Sequence, residues 1–185
     1  MEDESVYLDA FAQRLETNLL KICKEKGFAG DRMLESEDMD SKFSSCFAEG
    51  YFTDAIKEIN AYPEVSLAWA GFLGMGAAKL WDTDINAFNT VRYGDFKGER
   101  GFDDMDEKIL GEILGYKPGS READSITDCL NCCATAALNM IRHENIEPSS
   151  ARAYYVFARA TETMYRIGVC VELHLLGYRM QRINK

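Results

Sequence analysis

PSSARAYYVFARATETMYRIGVCVELHLLGYRMQRI, residues 148–183, is the stretch on which the architecture turns. With no proline after its first residue it reads as one α-helix from Pro148 to about Ile183, about 50 Å long at the usual ~1.5 Å per residue. Tyr154, Phe157, Met164, Val169, Leu175, Tyr178 and Met180 cover more than one helical stripe. A helix that is apolar all round is a buried one, with neighbours on several sides. The segment from Pro148 to Lys185 carries six basic residues against two acidic ones, although the whole 185-residue chain has a formal net charge of -10. The acid therefore lies in the segments around this helix, which suits internal electrostatic complementarity and solubility.

Working outward, the most apolar partner for this rod is Val65–Ala78, inside a helix expected from Pro63 to about Trp81. Pro63 suits a first helical position, and Glu64 suits the positive end of the dipole. Gly71, Gly74 and Gly76 each cost about 1 kcal/mol against alanine in a helix interior. Close packing against the carboxy-terminal helix is the compensating reason. At 14 residues before Lys79 the apolar window is too short for the ~20 needed to cross a bilayer.

Before this pair, Leu8, Phe11, Leu15, Leu19 and Ile22 recur at helical spacing and end at Gly27. Ala29–Asp40 reads as a loop or a short helix. Phe43 and Phe47 mark a segment ending near Gly50, and Phe52, Ile56 and Ile59 continue the pattern to about Ala61. Thr83–Phe102 is the least regular stretch. Asp103 is expected to cap a helix ending at Gly115, and Ser120 a helix carrying Ile126, Leu130, Cys133, Ala137 and Met140 to about His143. No stretch alternates with period two, so no sheet is expected. Residues 1–185 are read as a single all-α domain, a bundle of six or seven helices with the long carboxy-terminal helix at its centre.

Several chemistries fail on spacing. Cys129 and Cys133 share one helix face, and Cys170 and His174 another, but in a hairpin of the two helices the pairs lie too far apart to hold one zinc ion. The six cysteines read as small apolar core residues in a reducing compartment, with no metal and no cofactor expected. Asp82, Asp84 and Asn86 begin like a calcium loop, but Ala87 stands where the glycine belongs and Tyr93 where the closing glutamate belongs. The glycines near residue 71 lie inside one helix rather than after a strand, which excludes a dinucleotide fingerprint. With two histidines in the chain, a nucleophile has few general bases to draw on. Nucleic acid is disfavoured because no basic stripe is available, and no secretory signal opens the chain.

Arg152, Arg159 and Arg166 recur every seven residues, with Glu162 set to pair with the latter two. The expectation is a cytoplasmic, non-catalytic interaction or regulatory module with a protein partner or a second copy, because its apolar faces exceed what one small bundle covers. The competing expectation is an enzyme or small-molecule binder. It would use an anion pocket at Arg159 and Arg166, or a weak divalent-metal or polar site at Trp81, Asp82, Asp84, Arg92 and Tyr93, since irregular segments on rigid scaffolds often carry function.

Overall fold

The structure, a computed structural model, describes residues 2–179. The helices are α1 (Glu2–Glu25), α2 (Glu37–Lys42), α3 (Ala48–Ile59), α4 (Pro63–Thr83), α5 (Ile85–Thr90), α6 (Met105–Lys108), α7 (Arg121–His143) and α8 (Ala151–Leu175). A π-helical turn at Phe43–Phe47 carries α2 into α3 as one rod, and a second at Ile109–Ile113 extends α6. Among the described residues there is no β-strand, only an isolated bridge between Gly98 and Gly101. The all-α bundle follows the period of the apolar residues, and no described helix is long and apolar enough to cross a membrane.

The central pair is α4 and α8, which share the most extensive contact in the molecule. Side chains of α4 are buried from Leu67 to Ala78 except at Trp69. The two rods cross where each lacks side chains. A Cβ on Gly168 would run into the Gly71 carbonyl oxygen, and one on Gly74 into the Tyr165 carbonyl oxygen, both well inside van der Waals contact. The expected glycine packing is therefore present, with Gly168 as its counterpart on α8. Gly76 serves a different neighbour, facing the Phe96 ring.

The carboxy-terminal helix differs from expectation at both ends. Ser150, not Pro148 or Ser149, is its N-cap, accepting the Ala153 N–H at 3.1 Å. Its last residue is Leu175. Gly177 at φ +98° donates to the His174 carbonyl, and Tyr178 N–H reaches the Leu173 carbonyl at 3.0 Å, a Schellman closure. Only a residue without Cβ takes that backbone without strain, so the rod stops near 37 Å rather than running on to Ile183. Met180 and Ile183 lie outside the described residues. Sheltering from water is also uneven: Ala160–Leu173 is buried almost all round, whereas Tyr154 and Tyr155 are exposed.

Two smaller expectations are corrected. Gly50 lies inside α3 rather than ending the Phe43–Phe47 segment, and the Tyr93 ring occupies the space a side chain there would fill. The residue before α6 is Asp104, not Asp103, and its carboxylate accepts the Arg100 N–H at 3.0 Å instead of capping the helix.

Candidate functional site

The arginine stripe of α8 faces α1. Arg152 meets Glu4, with its Nε 3.0 Å from one carboxylate oxygen, and Arg159 meets Asp9 at 2.8 Å. Arg166 meets Glu16 at 2.6 Å. Pairing in the same chain order means that α1 and α8 run parallel. Of the two pairings expected for Glu162, the one with Arg159 is formed, at 3.5 Å. Arg166 is the deepest of the three arginines. Besides Glu16 it bonds Glu35, and its Nε stands 3.6 Å from Asp40. One guanidinium thus faces three carboxylates. Burial, reinforced by Glu35, Glu162 and Glu16, outweighs Arg166 and pushes the Asp40 carboxyl up to about 6. This stripe joins two helices: each of its arginines pairs with carboxylates of the chain itself, while the buried Arg166 Nε has no hydrogen-bond partner among the described residues.

The structure does not gather the residues between Trp81 and Tyr93 into one place. Trp81 Nε1 donates to Asp38 at 3.2 Å, and Asp82 accepts the Tyr178 hydroxyl at 2.6 Å, both at the carboxy-terminal end of α4. Asp84 caps α5, accepting the Ala87 N–H at 3.0 Å. The chain then returns along α4. Tyr93 packs on Tyr51, whose hydroxyl bonds the Ser66 carbonyl near the start of α4. Ser66 and Trp81 are roughly 20 Å apart along the helix. The Tyr93 hydroxyl donates to Asp54 at 2.7 Å, and Lys97 neutralises the same carboxylate at 2.7 Å. The Arg92 N–H donates to Asp95 at 2.8 Å.

A separate cleft lies where the α3–α4 turn meets the α7–α8 connection. About 530 Å³ in volume, it is bounded by Ile59, Pro63, Ile141, Ile146, Tyr154 and Phe157, with Arg142 on its wall. Among the described residues the Arg142 guanidinium bonds no carboxylate. Tyr154 separates this cleft from a smaller one of about 280 Å³ that contains Leu8, Phe43, Phe52, Tyr155 and Arg159. The Tyr154 ring lies 6.4 Å from Phe52 and 5.8 Å from Tyr155, so the two clefts form one aromatic trough along α3 and the first turns of α8. Of the lining residues Tyr154 and Tyr155 are exposed, as are Ile56 of α3 and Tyr62 just before Pro63. Patterning alone does not reveal the trough, because it depends on how α3 meets the start of α8.

Of the cysteines, Cys129 and Cys133 do not approach Cys170, whose sulfur accepts the Leu34 N–H at 3.3 Å. Their neighbour is Cys23 of α1, a residue that spacing within one helix does not point to. The two histidines stand at opposite ends of the bundle, His143 closing α7 and His174 in the last turn of α8. The chain matches no protein-family model, no curated protein sequence and no solved structure at a significant level.

Proposed function

We propose that this protein is a non-catalytic helical interaction module that pairs with a second copy of itself through the aromatic trough between α3 and α8. The observation that carries the reading is the exposure of Tyr154 and Tyr155, one lining each of two neighbouring clefts, with the exposed Ile56 and Tyr62 close in sequence to cleft-lining residues of α3 and the α3–α4 turn. Exposed apolar surface of this extent marks an interaction face, and interfaces favour tyrosine and arginine over lysine and carboxylates. The charges lining the clefts are Arg142, Arg159 and Glu162, and the last two neutralise one another. The face is thus close to neutral on a chain of net charge -10. A self-complementary patch of this kind closes a two-fold dimer. Free cysteines throughout fit a reducing, cytoplasmic setting.

Sedimentation equilibrium over a wide concentration range tests this reading. The expected result is a reversible dimer that tightens as salt screens the repulsion between two acidic chains, and that Tyr154→Glu reduces to monomer. A monomer at every concentration and salt level overturns it.

Arg142 favours a second reading. A cleft of about 530 Å³ with apolar walls and one unpaired guanidinium suits a small apolar molecule bearing an acidic group. Anilinonaphthalene sulfonate is the probe. Saturable fluorescence enhancement lost in Arg142→Gln supports this alternative, and enhancement unchanged by that substitution removes it.

A further inference from the structure

The last turn of α1 closes on Cys23. Gly27 N–H donates to the Lys24 carbonyl at 3.0 Å and Phe28 N–H to the Cys23 carbonyl at 2.8 Å. This closure fixes Cys23 on the side of α1 that faces α7. There Cys129 and Cys133, four residues apart, occupy successive turns of one helix face. The Cys23 sulfur is 3.6 Å from that of Cys133 and 3.8 Å from that of Cys129. All three sulfurs lie within 4.8 Å of one another, and all three residues are buried and free of disulfides.

These distances are those of ligands on one ion. A metal–sulfur bond of about 2.3 Å sets sulfurs about 3.8 Å apart at tetrahedral angles and about 4.0 Å apart in a trigonal plane. A disulfide fits the trio less well, since one bridge would leave a third thiol unmatched against it. The donor set also selects the ion. Structural zinc takes four protein ligands and catalytic zinc keeps a position open to water. Here the group has three sulfurs and no fourth cysteine, histidine or carboxylate among the described residues, and it is shut off from solvent. A soft ion content with three thiolates is cuprous copper.

We propose that Cys23, Cys129 and Cys133 bind one cuprous ion as a trigonal thiolate site linking α1 to α7. Copper enters as Cu(I), so no electron is transferred. Each ligating thiol forms a sulfur–copper bond and gives its proton to solvent, which makes uptake release protons and strengthen with pH. The ion reaches the site when the final turn of α1 opens, because helix ends open at low cost.

The test titrates the reduced full chain with Cu(I) under argon against bathocuproine disulfonate, with zinc in a parallel arm. The expected result is one Cu(I) per chain, with three sulfur neighbours by X-ray absorption. Affinity should fall by about 100-fold or more in Cys129→Ser, while Cys46→Ser and Cys132→Ser bind as the unsubstituted chain does. Protection from slow iodoacetamide labelling needs no substitution, so it keeps the test sound if Cys129→Ser fails to fold. Cu(I) should shield Cys23, Cys129 and Cys133 while Cys46 and Cys132 still react. Failure to compete with the chelator, copper shielding only Cys46 or Cys132, or preferential uptake of zinc in four-coordinate form overturns the proposal.

Discussion

Glu172 lies on α8 with 3% of its surface exposed, and its Oε2 has no hydrogen-bond partner among the described residues. Burial, with Asp82 adding to it and Lys79 opposing, pushes its carboxyl from 4.5 up to about 7. A folded-state value above the unfolded one means that the native state holds the proton more tightly. The stability this confers is complete below 4.5 and is lost as pH rises through about 7. The displacement corresponds to about 3 kcal/mol. Glu172→Gln stays neutral throughout, so urea denaturation should find it matching the unsubstituted chain near pH 4 and exceeding it by roughly 2–3 kcal/mol at pH 8. Equal stability of the two at pH 8 would show that the carboxylate is relieved some other way. No periodicity argument foresees this residue, since a lone glutamate on a helix reads as solvated until its neighbours are known.

At the scale of elements, the crossing of α4 and α8 depends on the absence of side chains. Gly168→Ala or Gly74→Ala would force the two backbones apart, because the obstacle in each case is a carbonyl group that cannot rotate away. Each should cost about 4 kcal/mol or more, or prevent folding outright. Gly111→Ala is the control. It sits in a helical turn with open space where the methyl would go, and should gain about 0.5–1 kcal/mol. Thermal and urea unfolding of the three variants checks the contrast; equal effects would mean that the helices do not cross where the glycines lie. Half of this crossing was legible. Three glycines within six residues of an apolar helix call for a close neighbour, but Gly168, single among Ile167, Val169 and Val171, carries no such signal. Gly177 was legible in principle as a left-handed stop, yet the apolar residues beyond it continue the same pattern. Pattern says where a helix is favourable, and backbone conformation decides where it ends.

Over the whole molecule, three arginines of α8 lie against the acidic face of α1, with exposure decreasing from Arg152 to Arg166. Exposed pairs contribute little and the partly buried one more. Glu4→Lys and Asp9→Lys should each lower the denaturation midpoint only slightly, and less at high salt. Arg166→Ala leaves Glu16, Glu35 and Asp40 facing one another, and should cost about 2–4 kcal/mol, with Asp40→Asn restoring part of the loss. Denaturation of the single and double variants measures this gradient; equal costs along the stripe would show that depth does not matter here.

The amino-acid order by itself determined the existence of the long helices, the all-α bundle and the central place of α4 and α8, though not the short α5 within the stretch read as irregular. Each of these follows from residues a few positions apart on one rod, whose spacing is set by helical geometry. Only the tertiary structure decided which faces meet: three carboxylates on Arg166, Cys23 on Cys129 and Cys133, and the aromatic trough at the start of α8. The rotation and register of one helix against another are set by the summed packing of many side chains, and no local repeat records that sum.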